Sequence, residues 1–167
     1  MRIAGISHES LVDGPGVRVV VFAQGCDIGC KNCHNPSSWD TTAGKEYIPR
    51  VLARTITKRR PGIENIQGVT FSGGEPFMQA EEFSQLAEII KSRGAWDIVT
   101  YTGHTYEKLL ARTNDTGVQK LLALTDYLID GAYVHELRDL DLRFRGSKNQ
   151  RFIDLNATRE SGTVVLL

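Results

Sequence analysis

Apolar residues in this chain fall into short β-branched runs separated by amphipathic stretches, so a period of two alternates with a period of 3.6. Residues 17–23, VRVVVFA, are bounded by Gly16 and Gly25 and predict a buried strand. Residues 48–59 set Ile48, Val51, Leu52, Thr55 and Ile56 on one helical stripe that Pro61-Gly62 would end. Residues 68–72, GVTFS, predict a second strand, followed by Gly73-Gly74-Glu75-Pro76 and a helix. That helix carries Ala80, Phe83, Leu86, Ala87 and Ile90 on one face. Glu81 and Glu82 lie in its first turn, and Lys91, Arg93 and Gly94 mark its end, as the helix dipole and a glycine stop favour. Further along, residues 97–101 predict a third strand, 105–112 and 118–124 two helices, and 126–130 a fourth strand before Gly131. Residues 151–155 and 163–167 predict edge strands.

Strand followed by helix, repeated, is the pattern of an α/β fold with parallel strands and right-handed crossovers. All strand C-terminal ends would then lie on one side. The loop after residue 23 and the turns at Gly73-Gly74-Glu75-Pro76, Thr102-Gly103 and Asp130-Gly131 would gather there, where barrels and open α/β sheets place ligands.

Composition narrows the possibilities. A chain of 167 residues with 41% hydrophobic content suits one domain, over 1–167, with a real core. Basic and acidic residues balance at 20 each, so no global field points to nucleic acid or an anionic membrane as partner. The N-terminal residues turn polar too early for a secretory segment, and the longest apolar run, 19–23, is too short to span a bilayer. A cytoplasmic location is expected, where clustered cysteines bind metal or do redox chemistry rather than form disulfides.

The three cysteines, Cys26, Cys30 and Cys33, all fall in GCDIGCKNCHNP at residues 25–36, spaced C-x3-C-x2-C. An odd count disfavours disulfides. Thiolates so spaced can bend round one inorganic centre, and a cubane iron-sulfur cluster has four iron corners, one of which would stay open to a small ligand. Zinc held by three cysteines and His34 remains an alternative, although His34 directly follows Cys33 and neighbouring side chains seldom reach one ion. Gly73-Gly74-Glu75-Pro76 taken alone needs only turn geometry, but glycines also permit close backbone approach to a ligand.

The C-x3-C-x2-C loop followed by a Gly-Gly-Glu-Pro turn resembles the radical S-adenosylmethionine superfamily. That resemblance implies a partial, open β/α barrel, a [4Fe-4S] cluster on Cys26, Cys30 and Cys33, and S-adenosylmethionine chelating the open iron. It further implies reductive cleavage of S-adenosylmethionine to methionine and a 5'-deoxyadenosyl radical. Gly73, Gly74, Glu75 and Pro76 would receive the methionine amino group, and Asn32, Cys33 and His34 would contact the nucleoside. Asn32 departs from the superfamily, where an aromatic often stands. GPGVR at 14–18, CHNPSSW at 33–39 and RGSKNQR at 145–151 are together similar to the activators of anaerobic ribonucleoside-triphosphate reductase. This implies that reductase as partner, an electron donor such as flavodoxin, and hydrogen abstraction from a backbone glycine. Activation of another glycyl-radical enzyme such as pyruvate formate-lyase, or a non-catalytic zinc-stabilised module, are the alternatives.

Other residues admit two readings. Asp130 suits a ribose or methionine contact or an ordinary turn. Thr100, Tyr101 and Thr102 offer hydroxyls at a strand end that strand propensity also explains. His104 and His135 suit proton carriers or plain surface and core positions. Arg138, Arg143, Arg145, Lys148 and Arg151, interleaved with Glu136, Asp139 and Asp141, suit a docking face or a solvated mixed surface. Lys58-Arg59-Arg60 reads as a helix end.

Overall fold

The structure, a computed structural model, describes residues 1–58 and 65–167. Among the described residues, eight strands form one sheet in the order β3-β1-β2-β4-β5-β6-β7-β8. They are β1 (Arg2–Ser10), β2 (Val17–Ala23), β3 (Lys45–Glu46), β4 (Ile66–Gly73), β5 (Asp97–Tyr101), β6 (Tyr127–Asp130), β7 (Arg151–Asp154) and β8 (Val165–Leu166). The helices are α1 (Pro49–Ile56), α2 (Ala80–Lys91), α3 (Tyr106–Leu110), α4 (Thr116–Leu124) and α5 (Leu155–Ser161). The two ends of the sheet, β3 and β8, are two-residue strands at opposite edges. This is a mixed α/β fold with an open sheet, consistent with a partial barrel.

The central strands β2, β4, β5 and β6 run parallel, as helical crossovers require. The flanking pairs do not. β1 and β3 are antiparallel to their neighbours on one side, and β7 and β8 on the other. The expectation that every strand end lies on one side therefore holds for the four central strands only. The connection from β1 to β2 spans just residues 11–16, too short for a crossover, so it folds back as a hairpin.

Side chains alternate between the two faces with a period of two. Val19, Val21, Ala23, Val69, Phe71, Ile98 and Leu128 pack into the main core with the buried faces of α1, α2 and α4. All five residues predicted to face the core from α2 are buried there. Val99, Ile129 and Phe152 form a second cluster with Tyr101, Tyr127 and Phe144. Arg18 also alternates away from the main core: it is fully buried, ion-paired to Asp97 at 2.5 Å, and donates to Thr70 Oγ1 at 2.8 Å and to the carbonyl of Val69 at 3.0 Å.

Several elements differ from their predictions. α1 begins at Pro49, a residue preorganised for a first helical turn, so Ile48 precedes the helix and is 68% exposed. Val51 is exposed as well, and Ala53 joins Leu52 and Ile56 on the buried stripe. The helix ends at Ile56, with Thr57 as its C-cap, instead of continuing through Lys58; Arg59 and Arg60 and the predicted stop at Pro61-Gly62 lie outside the described residues. β7 is interior to the sheet rather than an edge, because β8 pairs with it. β1 and α5 are not legible in the apolar pattern. β1 is held by strands on both sides yet keeps a largely half-exposed face, so polar residues interrupt its alternation. No helix among the described residues is long and apolar enough to cross a membrane.

Candidate functional site

The cysteine loop leaves β2 at Ala23 and is closed at its neck by backbone bonds. Gly25 N–H donates to the carbonyl of Ser38 at 2.7 Å and Cys26 N–H to that of Trp39 at 3.3 Å. Gln24 Nε2 ties the same neck by donating to the carbonyls of Ser37 (3.0 Å) and Asp40 (2.7 Å). Within the loop, Gly25, Gly29 and Asn32 adopt φ of 99°, 65° and 57°. Asparagine is among the few residues other than glycine that enter the left-handed region readily, which gives a local reason for Asn32 where an aromatic is often found. Cys26, Cys30 and Cys33 are free, half-buried, and border one cavity of about 650 Å³.

Burial pushes the thiols of Cys26 and Cys30 up from their ordinary range. Opposing it, the backbone of Ile28 hydrogen-bonds Cys26 and that of Tyr133 hydrogen-bonds Cys30, both favouring the thiolate. Asn35 N–H donates to Cys33 Sγ at 3.4 Å. Among the described residues no group of three histidine, cysteine or carboxylate side chains stands as a single ion would require. Three sulfurs that border one cavity, each half-buried and that of Cys33 met by the Asn35 N–H, fit the donor set of a larger iron-sulfur cluster.

The Gly-Gly-Glu-Pro turn lies against the base of this loop. Gly74 N–H donates to the carbonyl of Ala23 (2.9 Å) and Glu75 N–H to that of Gly25 (2.8 Å). A Cβ on Gly74 would stand 2.2 Å from the Gly25 carbonyl oxygen, and Gly73 has φ 91°. The glycines thus meet a demand of the protein's own backbone, beyond any approach of a ligand. Gly73, Gly74 and Glu75 border the cavity, while Pro76 is buried and opens a short 3-10 turn over Pro76–Gln79.

Glu75 is fully buried. Its carboxylate accepts from Phe77 N–H (2.9 Å), Thr102 Oγ1 (3.0 Å) and Gly103 N–H (2.8 Å), which links the end of β4 to the end of β5. Burial pushes its carboxyl up to about 7, while the three donors favour the ionised form.

Turns after all four parallel strands reach the cavity: the cysteine loop, Gly73-Gly74-Glu75, Thr102-Gly103 and Gly131. The strand-end hydroxyls are committed inside the protein. Thr100 bonds Thr125, Tyr101 donates to the carbonyl of Phe144, and Thr102 to Glu75. Asp130 is buried and accepts from Tyr106 N–H and from Arg151, which also grips Glu107. Its role is a joint between α3, β6 and β7. His34 borders the cavity, with its ring centroid 5.1 Å from that of Tyr133. Asn32 and His135 are exposed and His104 is half-buried, and none of the three is on the lining.

The cavity also has walls that no short motif announces. Leu11, Val12 and Asp13 come from the β1–β2 connection, and Tyr133, Leu140 and Phe144 from the long β6–β7 connection. Arg145, Gly146 and Gln150 of RGSKNQR lie there too, which places part of that segment beside the cysteines.

Residues 12–153 match the family model described as a 4Fe-4S single cluster domain. The chain is similar to the pyruvate formate-lyase-activating enzyme of Clostridium pasteurianum, 39% identical over 68% of this chain but only 49% of that enzyme, about half its length. It is also similar to two anaerobic ribonucleoside-triphosphate reductase-activating proteins. The one from Vibrio cholerae is 34% identical over 84% of this chain and 89% of the relative, and the one from Enterobacteria phage T4 is 36% identical over 84% and 85%.

Proposed function

The chain belongs to the 4Fe-4S single cluster domain family and to the anaerobic ribonucleoside-triphosphate reductase-activating proteins, and from that membership we propose that it is a radical S-adenosylmethionine activase that installs the glycyl radical on such a reductase. It acts as one domain over 1–167, a partial β/α barrel of the radical S-adenosylmethionine type, in the cytoplasm, with a reduced flavodoxin or similar protein as electron donor. The observation that carries the reading is the convergence of Cys26, Cys30, Cys33 and the Gly73-Gly74-Glu75 turn on one cavity.

Cys26, Cys30 and Cys33 would hold the [4Fe-4S] cluster, and with no fourth cysteine in the chain one iron is left for S-adenosylmethionine. When bound, the cluster supplies the electron for reductive cleavage of S-adenosylmethionine, the source of hydrogen abstraction from the reductase glycine. The chain's own residues do the remaining work. Burial holds the thiols of Cys26 and Cys30 up, and the backbone at Ile28 and Tyr133 works against it in favour of the thiolates a cluster would need. Gly73 and Gly74 bring backbone to the cavity edge for the methionine amino group, and Glu75 fixes that turn from beneath. His34 offers a ring toward the nucleoside, while exposed Asn32 serves through the backbone of the loop it turns.

Coverage favours the reductase over pyruvate formate-lyase as client, since the chain spans 85–89% of two reductase activators but 49% of the lyase activator. Anaerobic reconstitution with iron and sulfide, then reduction with S-adenosylmethionine and the reductase, should give a glycyl-radical resonance on the reductase. Cys30→Ala is expected to lose both cluster and cofactor cleavage. Zinc without iron or sulfide after anaerobic purification would sink the proposal, and a variant still making 5'-deoxyadenosine would contradict the ligand assignment.

A further inference from the structure

Resting on that reading, we propose that residues 39–58, the strap that follows the cysteine loop together with the outer face of α1, dock the acidic one-electron carrier protein that reduces the cluster from outside the cavity.

The place of this face follows from the topology. No residue of 36–58 borders the cavity, so the face would stay accessible while S-adenosylmethionine and the reductase occupy the other side of the cysteine loop. It is nevertheless tied to the cysteines. The Trp39 carbonyl accepts from Cys26 N–H at 3.3 Å, and a Cβ on Gly25 would stand 3.2 Å from Thr41 Cγ2. Arg2 Nη1 then donates to the carbonyls of Thr42 (2.9 Å) and Ala43 (3.2 Å), and Lys45 and Glu46 pair with β1. Trp39 is 37% exposed, which puts an aromatic residue at the surface one backbone hydrogen bond away from Cys26.

The chain as a whole is neutral, but this face is not. Lys45, Arg50, Arg54 and Lys58 are exposed and form no ion pair among the described residues, although Lys45 lies over the Tyr47 ring at 5.4 Å. Two acids stand against them, Asp40 and Glu46, and Asp40 is occupied by Thr42 N–H and Oγ1, both at 2.7 Å. α1 itself contains no acid. Arg50 in its first turn opposes the helix dipole, and Arg54, four residues on, repels Arg50. Both placements work against the helix, so its stability does not account for them. Beside these charges Ile48 and Val51 are 68% and 51% exposed.

An apolar patch flanked by unpaired positive charge fits a partner of opposite sign, and electron-transfer complexes form on small patches steered by such complementarity. A flavodoxin-type carrier with carboxylates around its flavin edge meets that demand. The reductase does not, because its glycine has to enter the cavity on the other side. In the step served here the anionic flavin hydroquinone gives one electron and becomes the neutral semiquinone, and the cluster passes from its 2+ to its 1+ state with no proton transferred.

The test uses the reconstituted holoenzyme with flavodoxin as the probe. Calorimetric titration with oxidised flavodoxin should show binding that weakens as salt rises from about 20 to about 200 mM. Arg50→Glu combined with Arg54→Glu should weaken that binding about tenfold at low salt and slow cluster reduction by flavodoxin hydroquinone to the same extent. Arg50→Lys combined with Arg54→Lys, which keeps the charge, should stay within about twofold of wild type. In both variants reduction by dithionite, S-adenosylmethionine binding and reductase affinity should also stay within about twofold. Unchanged flavodoxin affinity in the charge-reversed variant would overturn the assignment. So would equal slowing with dithionite, which would place the defect in the cluster, or weakened reductase binding with flavodoxin binding intact, which would give the face to the reductase. A wild-type protein that holds no cluster after reconstitution overturns the function itself, a result separable from failure of this face alone.

Discussion

Glu75 shows how one side chain serves both fold and site. Its carboxyl, raised to about 7 from an ordinary 4.5, keeps its proton in the folded protein over a pH window in which the unfolded chain has released it. The folded state therefore binds the extra proton between about 4.5 and 7, and the associated stability, complete below that window, is lost as pH rises through 7. Glu75→Gln should flatten the dependence of Tm on pH between 5 and 8 in the cluster-free protein. It should also cost about 1–3 kcal/mol, because an amide that donates on one side leaves one of three buried donors without an acceptor. An undiminished pH slope in thermal unfolding would show that the titration belongs elsewhere. Nothing in the sequence around Glu75 announces this; Thr102 and Gly103 are 27 and 28 residues away and meet it only because β4 and β5 pair.

At the scale of elements, the Gly-Gly-Glu-Pro turn and the neck of the cysteine loop behave as one joint. Gly74→Ala would drive a Cβ to 2.2 Å from the Gly25 carbonyl oxygen, and neither backbone has a flexible end to yield. The expected cost is about 1–3 kcal/mol in urea unfolding, with slower cluster reconstitution because Glu75 N–H shares that carbonyl. Wild-type stability in the variant would mean that the joint is looser than the contacts imply. Elements with strong local signals are legible in the sequence: α2 has an unbroken apolar face with charged ends, and β2 and β4 are short runs closed by glycine. β1 is not, since its polar stretch Ser7–Ser10 is half-exposed or exposed and is held by antiparallel pairing with β2, and α5 is started by the Asp154 side chain accepting from Ala157 N–H at 2.9 Å rather than by an apolar stripe.

For the whole molecule, the open sheet leaves the cavity approachable from one side, and its border carries apolar residues in water. Leu11, Val12 and Leu140 are 67%, 75% and 78% exposed, on connections from opposite flanks of the sheet. Under the proposed function, a partner that presents a loop to the cavity would cover these residues. Val12→Asp combined with Leu140→Asp should weaken reductase binding at least about tenfold while leaving Tm within about 2 °C of wild type. Retained reductase affinity in a titration calorimeter would move the docking surface off this rim.

The cysteine spacing, the glycine turn and the strand-helix alternation can be read directly from the sequence, because each is written in residues close along the chain and acts through local geometry. The antiparallel flanking strands, the clamp on Glu75 from β5, the pairing of Asp130 with Arg151 and the placing of Arg145, Gly146 and Gln150 on the cavity that the cysteines border emerge only from the folded chain. Those facts depend on contacts between residues far apart in the chain, which exist only once the sheet has brought its strand ends to one place.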